Sequence, residues 1–187
     1  RAESINLARN TSISARSEGK GNAGNLRLEG QHDFIMKNSI LSTNARQADG
    51  GNIKVYADYM VSLSDNEITA SVGGGKETTG GNVGIDPRYV ILKNSIIKAN
   101  AFEGKGGNIE IISDLFLADP DSMIDASSSL GIDGQVDIRS PITNVSGLVS
   151  PLSKDFKSVV ALLREPCLAR VQKGEYSNFM IKGRDTA

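Results

Sequence analysis

The chain is poor in cysteine, histidine and tryptophan. It has no tryptophan, one cysteine (Cys167) and one histidine (His32) among 187 residues. A single cysteine cannot form a disulfide within the chain, which leaves a free thiol or an intermolecular pair open. His32 has no second metal ligand at a suitable spacing. We therefore predict a surface residue there, not a metal ligand or a general base.

Long apolar runs and an excess of charge of one sign are also missing. No run approaches the ~18–20 apolar residues of a membrane-spanning helix, so no membrane span is predicted. The 21 Lys and Arg residues are balanced by 22 Asp and Glu residues. This balance argues against a nucleic-acid groove or a polybasic membrane patch. Because the chain has no initiator methionine and no signal peptide, we expect it to be a piece of a longer or processed protein.

Glycine, by contrast, is abundant and recurs at regular intervals. The phrase Gly-Gly-Asn followed by alternating aliphatic residues begins at Gly50, Gly80 and Gly106. Weaker copies place Asn25 and Gln135 at the marker position, so the amide recurs after 27, 30, 26 and 27 residues. A period of this length is typical of stacked repeat proteins.

Three short segments with apolar residues two positions apart recur within each repeat. In one repeat they are Ile53 with Val55, Val61 with Leu63, and Ile68 with Ala70. A period of two is that of a strand with one buried face. Strands this short must stack on their own copies. The sequence therefore predicts an all-β fold over residues 1–140, a right-handed parallel β-helix of about five coils with three strands per ~27-residue coil.

The glycine–asparagine phrase is interpreted as the corner before the first strand of each coil. A sharp corner calls for a positive φ, which glycine permits and asparagine tolerates. We also expect the stacked asparagine side chains to hydrogen-bond from coil to coil. The predicted corner and ladder residues are Asn25, Gly51, Asn52, Gly81, Asn82, Gly107, Asn108 and Gly134. The longest insertion predicts a projecting loop for interaction with other molecules, at Gly73, Gly74, Gly75, Lys76 and Glu77.

The repeat stops after Ile138, and residues 141–187 are predicted to form a C-terminal capping segment. It would contain a partial coil, a short α-helix at about 154–165 between the N-cap Ser153 and Pro166, and a final strand at about 178–183. An open β-helix end exposes unpaired backbone, which such a cap would cover. The N-terminal end shows no cap. We therefore expect it to continue into an upstream β-helix or to stack on another fibre subunit.

Repeat and tail together carry a resemblance to a known family. The repeat combines Gly-Gly-Asn-Ile-x-Ile with Ser-x-Ile-x-Ala, and the tail has Cys167 followed by Ser-x-Phe-x-x-x-Gly-Arg at 177–184. In these features the chain resembles the C-terminal region of a filamentous haemagglutinin-like exoprotein of the two-partner secretion type. The Gly-Leu-Pro that often ends the family pattern is replaced here by Asp185, Thr186 and Ala187.

The resemblance implies a non-catalytic β-helical adhesin without a cofactor. It would be secreted or held at the outer surface of a Gram-negative bacterium, after export through an outer-membrane β-barrel transporter. Its partners would be the upstream rod and a surface glycan or protein receptor.

β-Helices also host polysaccharide lyases and hydrolases, so an enzyme is the main alternative. A glycosidase needs two carboxylates that flank a cleft. The candidates are Asp119 and Asp121 with Asp125, or Asp49 with Asp58. The Asp-Pro-Asp phrase is more simply a turn, and the outward positions show no cluster of carboxylates with Arg or Lys. The sequence favours a structural or adhesive segment, with a carbohydrate-active enzyme or an extracellular fibre subunit as alternatives.

Overall fold

The computed structural model describes residues 2–145, and every regular element in that range is a β-strand. The strands are β1 (Ala2–Leu7), β2 (Ser12–Ser14), β3 (Leu26–Lys37), β4 (Ile40–Ser42), β5 (Ile53–Ala57), β6 (Met60–Ser64), β7 (Glu67–Thr69), β8 (Val83–Asp86), β9 (Tyr89–Lys93), β10 (Ile96–Lys98), β11 (Asn108–Ile112), β12 (Leu115–Ala118), β13 (Met123–Asp125), β14 (Gln135–Arg139) and β15 (Ile142–Val145). The helix expected at about 154–165, the strand expected at about 178–183 and Cys167 lie outside the described residues.

The strands stack in parallel into three columns, one strand per coil in each. The first column contains the start of β3 and then β5, β8, β11 and β14. The second contains β1, the end of β3, β6, β9, β12 and β15. The third contains β2, β4, β7, β10 and β13. The described residues thus form a parallel β-solenoid of about five turns, which confirms the fold predicted from the repeat.

The second coil differs from the expected pattern of three separate strands. The sequence places a break near His32, but β3 runs without interruption for 12 residues through that corner. Its neighbour β1 pairs with β3 at Gly30 and again from Asp33 to Met36, with a register shift at the corner between them. In the later coils the strand ends at this corner, and a separate strand of the second column begins after it.

The core consists of ladders of inward-facing aliphatic side chains. Ile53 and Val55 of the first column, Val61 and Leu63 of the second, and Ile68 of the third are all inaccessible to solvent. Burying each such side chain stabilises the fold by ~1.5–3 kcal/mol. A narrow ladder of small side chains lies at the end of the third strand, with Thr43, Ala70, Ala99 and Ala126 buried in successive coils.

A fourth, very short column escaped the sequence analysis. Single parallel bridges join Ser17, Ala45, Val72, Ala101 and Ser128 in turn. Ala45, Val72 and Ala101 form a small separate cluster of buried residues, against which Ala23 packs. Three successive coils therefore share a second, minor apolar layer under the loop that leads back to the glycines. Among the described residues, no helix has the length and apolar character needed to cross a membrane.

Candidate functional site

The glycine corner is held by close approach between coils, and the predicted positive φ is wrong. None of the described glycines has a φ in the left-handed region. A Cβ on Gly81 would instead overlap the carbonyl oxygen of Gly51, and one on Gly107 would overlap that of Gly81. The same relation joins Gly51 to Gly24, and Gly134 to Gly107. The repeated glycine is therefore required because the coils pass too near each other for any side chain.

The backbone amides of the same glycines also hydrogen-bond to the residue that follows the preceding third-column strand. The amide of Gly81 donates to the carbonyl of Ala70 at 2.8 Å, and the amide of Gly107 donates to that of Ala99 at 2.7 Å. The Ala70 methyl group lies only 3.1 Å from the position that a Cβ on Gly81 would take. The buried alanines at the end of the third strand therefore pack directly against the glycine column.

The asparagines of the phrase form a hydrogen-bonded column on the outside of the corner. The side-chain oxygen of Asn25 accepts from the amide of Asn52 at 2.8 Å, and that of Asn52 accepts from the amide of Asn82 at 3.0 Å. Asn82 does the same for Asn108 at 2.9 Å, and Asn108 for Gln135 at 3.3 Å. The partners in this column are 27, 30, 26 and 27 residues apart, as the repeat spacing requires.

Removing one side chain from this column is expected to have a modest effect. Asn82→Ala deletes the acceptor for the Asn108 amide and the donor to Asn52. Because these groups are exposed, water can replace them, and we expect a loss of ~1 kcal/mol in unfolding free energy by urea titration. Lys54→Ala, at an exposed outward position of β5, is the control and should stay within ~0.5 kcal/mol. Equal losses for the two variants would show that the column does not stabilise the fold.

Left-handed backbone occurs at the next corner, between the second and third columns. Asn38, Asp65 and Asn94 have φ values of 47°, 58° and 44°, and each lies just before a third-column strand. Asparagine and aspartate tolerate this conformation better than other residues with a side chain. The positive φ expected at the glycine corner therefore occurs at this corner instead.

The aspartates of the fifth coil serve this corner. Asp119 accepts from the Asn94 amide at 2.9 Å and from the Ser122 hydroxyl at 2.5 Å, and Pro120 and Asp121 form the turn. Its pKa is lowered from the ordinary value, first by the Ser122 hydroxyl and then, against the opposing effect of burial, by the Asn94 amide.

Neither Asp119 nor Asp125 has the raised pKa that a glycosidase acid requires. Burial raises the pKa of Asp125, but hydrogen bonds from the Asn100 amide group and from Ser127 outweigh it, so the net shift is downward. A glycosidase acid needs a raised pKa. The second candidate pair is not brought together either, because Asp49 and Asp58 lie at opposite ends of β5. Asp49 accepts from the Thr79 amide at 2.8 Å.

His32 is exposed, and it begins an aromatic stack that the sequence analysis missed. Its ring lies 4.9 Å from that of Tyr59 in a stacked arrangement, and Tyr59 meets Tyr89 edge to face at 5.1 Å. The three residues occupy one position of successive coils, since the amide of Tyr59 donates to the His32 carbonyl and that of Tyr89 to the Tyr59 carbonyl. The rings contact one another, so this stack supports the corner between the first and second columns.

Beside this stack, two adjoining depressions form what we call the Tyr56 trough. One, of about 240 Å³, is lined by Arg27, Glu29, Gly30, Gln31, Tyr56 and Asp58. The other, of about 370 Å³, is lined by Tyr56, Ala57, Asp58, Asp86, Pro87, Arg88, Ile112, Ser113 and Asp114. Tyr56 and Asp58 belong to both.

The trough contradicts the expectation that carboxylates and arginines do not cluster on the outer surface. Four carboxylates (Glu29, Asp58, Asp86, Asp114) and two guanidinium groups (Arg27, Arg88) line it. They come from four successive coils. The register of β3, β5 and β8 places Tyr56 between Glu29 on one side and Asp86 on the other. A reading of single repeats does not reveal the cluster, because each coil contributes only one or two members.

The candidate interaction loop is partly exposed. Gly73, Gly75, Lys76 and Glu77 are exposed, whereas Gly74 is buried against the Thr78 side chain. Thr78 ties the turn by donating from its amide and its hydroxyl to the Gly75 carbonyl, at 3.0 and 2.7 Å. The loop is therefore a hydrogen-bonded turn on the outside of the solenoid.

Comparison with known proteins does not assign a function to these features. No family model, no curated protein and no solved structure matches the chain. Within residues 2–145 there is no group of three or more His, Cys, Asp or Glu side chains that could hold a metal ion. The Tyr56 trough is a described surface that combines an aromatic ring with acidic and basic side chains.

Proposed function

We propose that the chain is a non-catalytic, adhesive segment of a large secreted bacterial surface protein, forming part of a β-helical rod. One observation carries this proposal: the residues that recur from coil to coil bond to the rod itself. The glycines pack against the neighbouring coil, and the asparagines hydrogen-bond along their column. A repeat used in this way is typical of a scaffold whose exposed faces meet other molecules.

The sequence of the repeat and tail supports a filamentous haemagglutinin-like parent, and with it export through an outer-membrane β-barrel transporter to the cell surface. The upstream rod or another fibre subunit would be the partner along the axis. Among the described residues, the Tyr56 trough and the loop at Gly73–Glu77 are two surfaces that we assign to receptor contact.

The proposal is tested on cells that produce the parent protein. An antibody against residues 1–187 should label intact cells, or detect the protein in the medium, and external protease should remove the cell-bound signal. Detection only inside intact cells would contradict a surface role.

The carbohydrate-active alternative has one observation in its favour, the four carboxylates of the trough. It is tested by incubating the chain with neutral and acidic polysaccharides and measuring new reducing ends. Turnover that disappears in Asp58→Asn would establish an enzyme and contradict the non-catalytic proposal.

A further inference from the structure

We infer that the Tyr56 trough binds a neutral polysaccharide strand that runs along the rod. This inference deepens the proposed adhesive function and rests on it. The two depressions share Tyr56 and Asp58, and together they span four successive coils along the axis. An open surface of this length suits a polymer. A small molecule, by contrast, is normally enclosed over most of its surface.

Tyr56 provides the apolar platform at the centre of the trough. It projects outward from β5 and is half-buried, and the Arg27 guanidinium lies 5.1 Å from its ring centroid. Arg27 is itself held by an ion pair with Glu29. The ring is thereby fixed from one side. A rigid aromatic face with a hydroxyl at its edge suits the C–H face of a sugar ring, which is apolar and surrounded by hydroxyl groups.

The polar groups around Tyr56 include both acceptors and donors. Arg88 is paired with Asp114 at 3.3 Å. Asp58 and Asp86 are exposed, and neither makes an ion pair or a side-chain hydrogen bond with another described residue. Carboxylates only accept hydrogen bonds and guanidinium groups only donate them, so the mixture matches sugar hydroxyls, which do both.

The charge of the trough selects among polymers. Its four carboxylates exceed its two guanidinium groups, so the surface repels nucleic acids, uronates and sulfated glycans. A basic peptide would be attracted to Asp58 and Asp86. However, the Arg27 and Arg88 guanidinium groups line the same trough and would repel its basic side chains. A neutral, hydroxyl-rich strand avoids both conflicts.

Affinity electrophoresis of the 187-residue chain in native gels tests the inference. The gels contain hydroxyethylcellulose, galactomannan, polygalacturonate or polylysine. We expect retardation by at least one of the two neutral polymers and none by the charged ones. Tyr56→Ala should weaken binding about tenfold, since an aromatic contact of this kind contributes on the order of one such factor. Tyr56→Phe should retain most of the binding, and Asp58→Asn should weaken it less than Tyr56→Ala.

Phe102→Ala is the matched control, because Phe102 is an exposed aromatic residue (51%) outside the trough. It should bind as the parent chain does, and far-UV circular dichroism should show that all variants fold. The inference is overturned if neither neutral polymer retards the chain, if a charged polymer retards it more strongly, or if Phe102→Ala weakens binding as much as Tyr56→Ala. These outcomes leave the proposed surface location untouched, and failure of that location in cells would not alter the gel result.

Discussion

Gly81→Ala is expected to destabilise the solenoid by ~3 kcal/mol or more, one of the largest effects of any single substitution in the described chain. The new methyl group would lie on the carbonyl oxygen of Gly51 and within 3.1 Å of the Ala70 methyl group. Both neighbours belong to tightly packed corners, and one is backbone, so the clash is relieved only if two coils move apart. The measurement is the shift of the urea unfolding midpoint, followed by far-UV circular dichroism.

Gly84→Ala is the matched control, three residues further along the same coil. Gly84 points outward from β8, and a Cβ there would meet only the Lys54 side chain, at 4.0 Å. Alanine restricts the unfolded chain more than glycine does, so the change should be neutral or stabilise by up to ~1 kcal/mol. If Gly81→Ala proved as harmless as Gly84→Ala, close approach between the coils would not be the reason for the glycine column.

Asn66→Ala is expected to lower the unfolding free energy by ~2–4 kcal/mol. Asn66 is only 5% exposed, and its side chain donates to the Met36 carbonyl at 2.7 Å and accepts from the Ser39 amide at 3.0 Å. Alanine removes both partners in a place that water cannot easily reach, and each such loss costs ~1–3 kcal/mol. Urea titration measures the change.

Serine at this position should recover much of that loss. The equivalent residues of the next coils are Ser95 and Ser122, and the hydroxyl of each accepts from the backbone amide one coil earlier. Ser95 also donates to the Lys93 carbonyl at 2.8 Å. Asn66→Ser therefore keeps a side-chain acceptor for the Ser39 amide. If Asn66→Ser and Asn66→Ala were equally unstable, the hydrogen bond to Met36 alone would account for the role of Asn66.

Both predictions concern residues whose role the repeat pattern alone does not reveal. Gly81 was recognised as a corner residue, but a glycine in a corner suggests a positive φ, and the structure shows a close contact between coils instead. Asn66 interrupts a column of serines, so comparison of the repeats makes it look like an irregularity. Its importance lies in two backbone groups of the preceding coil, Met36 and Ser39.

The parallel solenoid, its coil length, its inward ladders and the asparagine column can all be predicted from the sequence. These features rest on alternation within a strand and on repetition between strands, and both can be counted along the chain. Val83 and Ile85, for example, are inward-facing residues of one strand and copies of Ile53 and Val55 at the same time.

Three features become evident only in the folded chain: which corner contains left-handed residues, why the glycines are required, and which outward side chains become neighbours. Glu29, Tyr56 and Asp86 belong to different coils, and none of them is a conspicuous part of its own repeat. They meet because stacking brings residues 27 to 30 positions apart to the distance between adjacent strands. A surface assembled in this way depends on register and on the fit between coils, which local pattern does not encode.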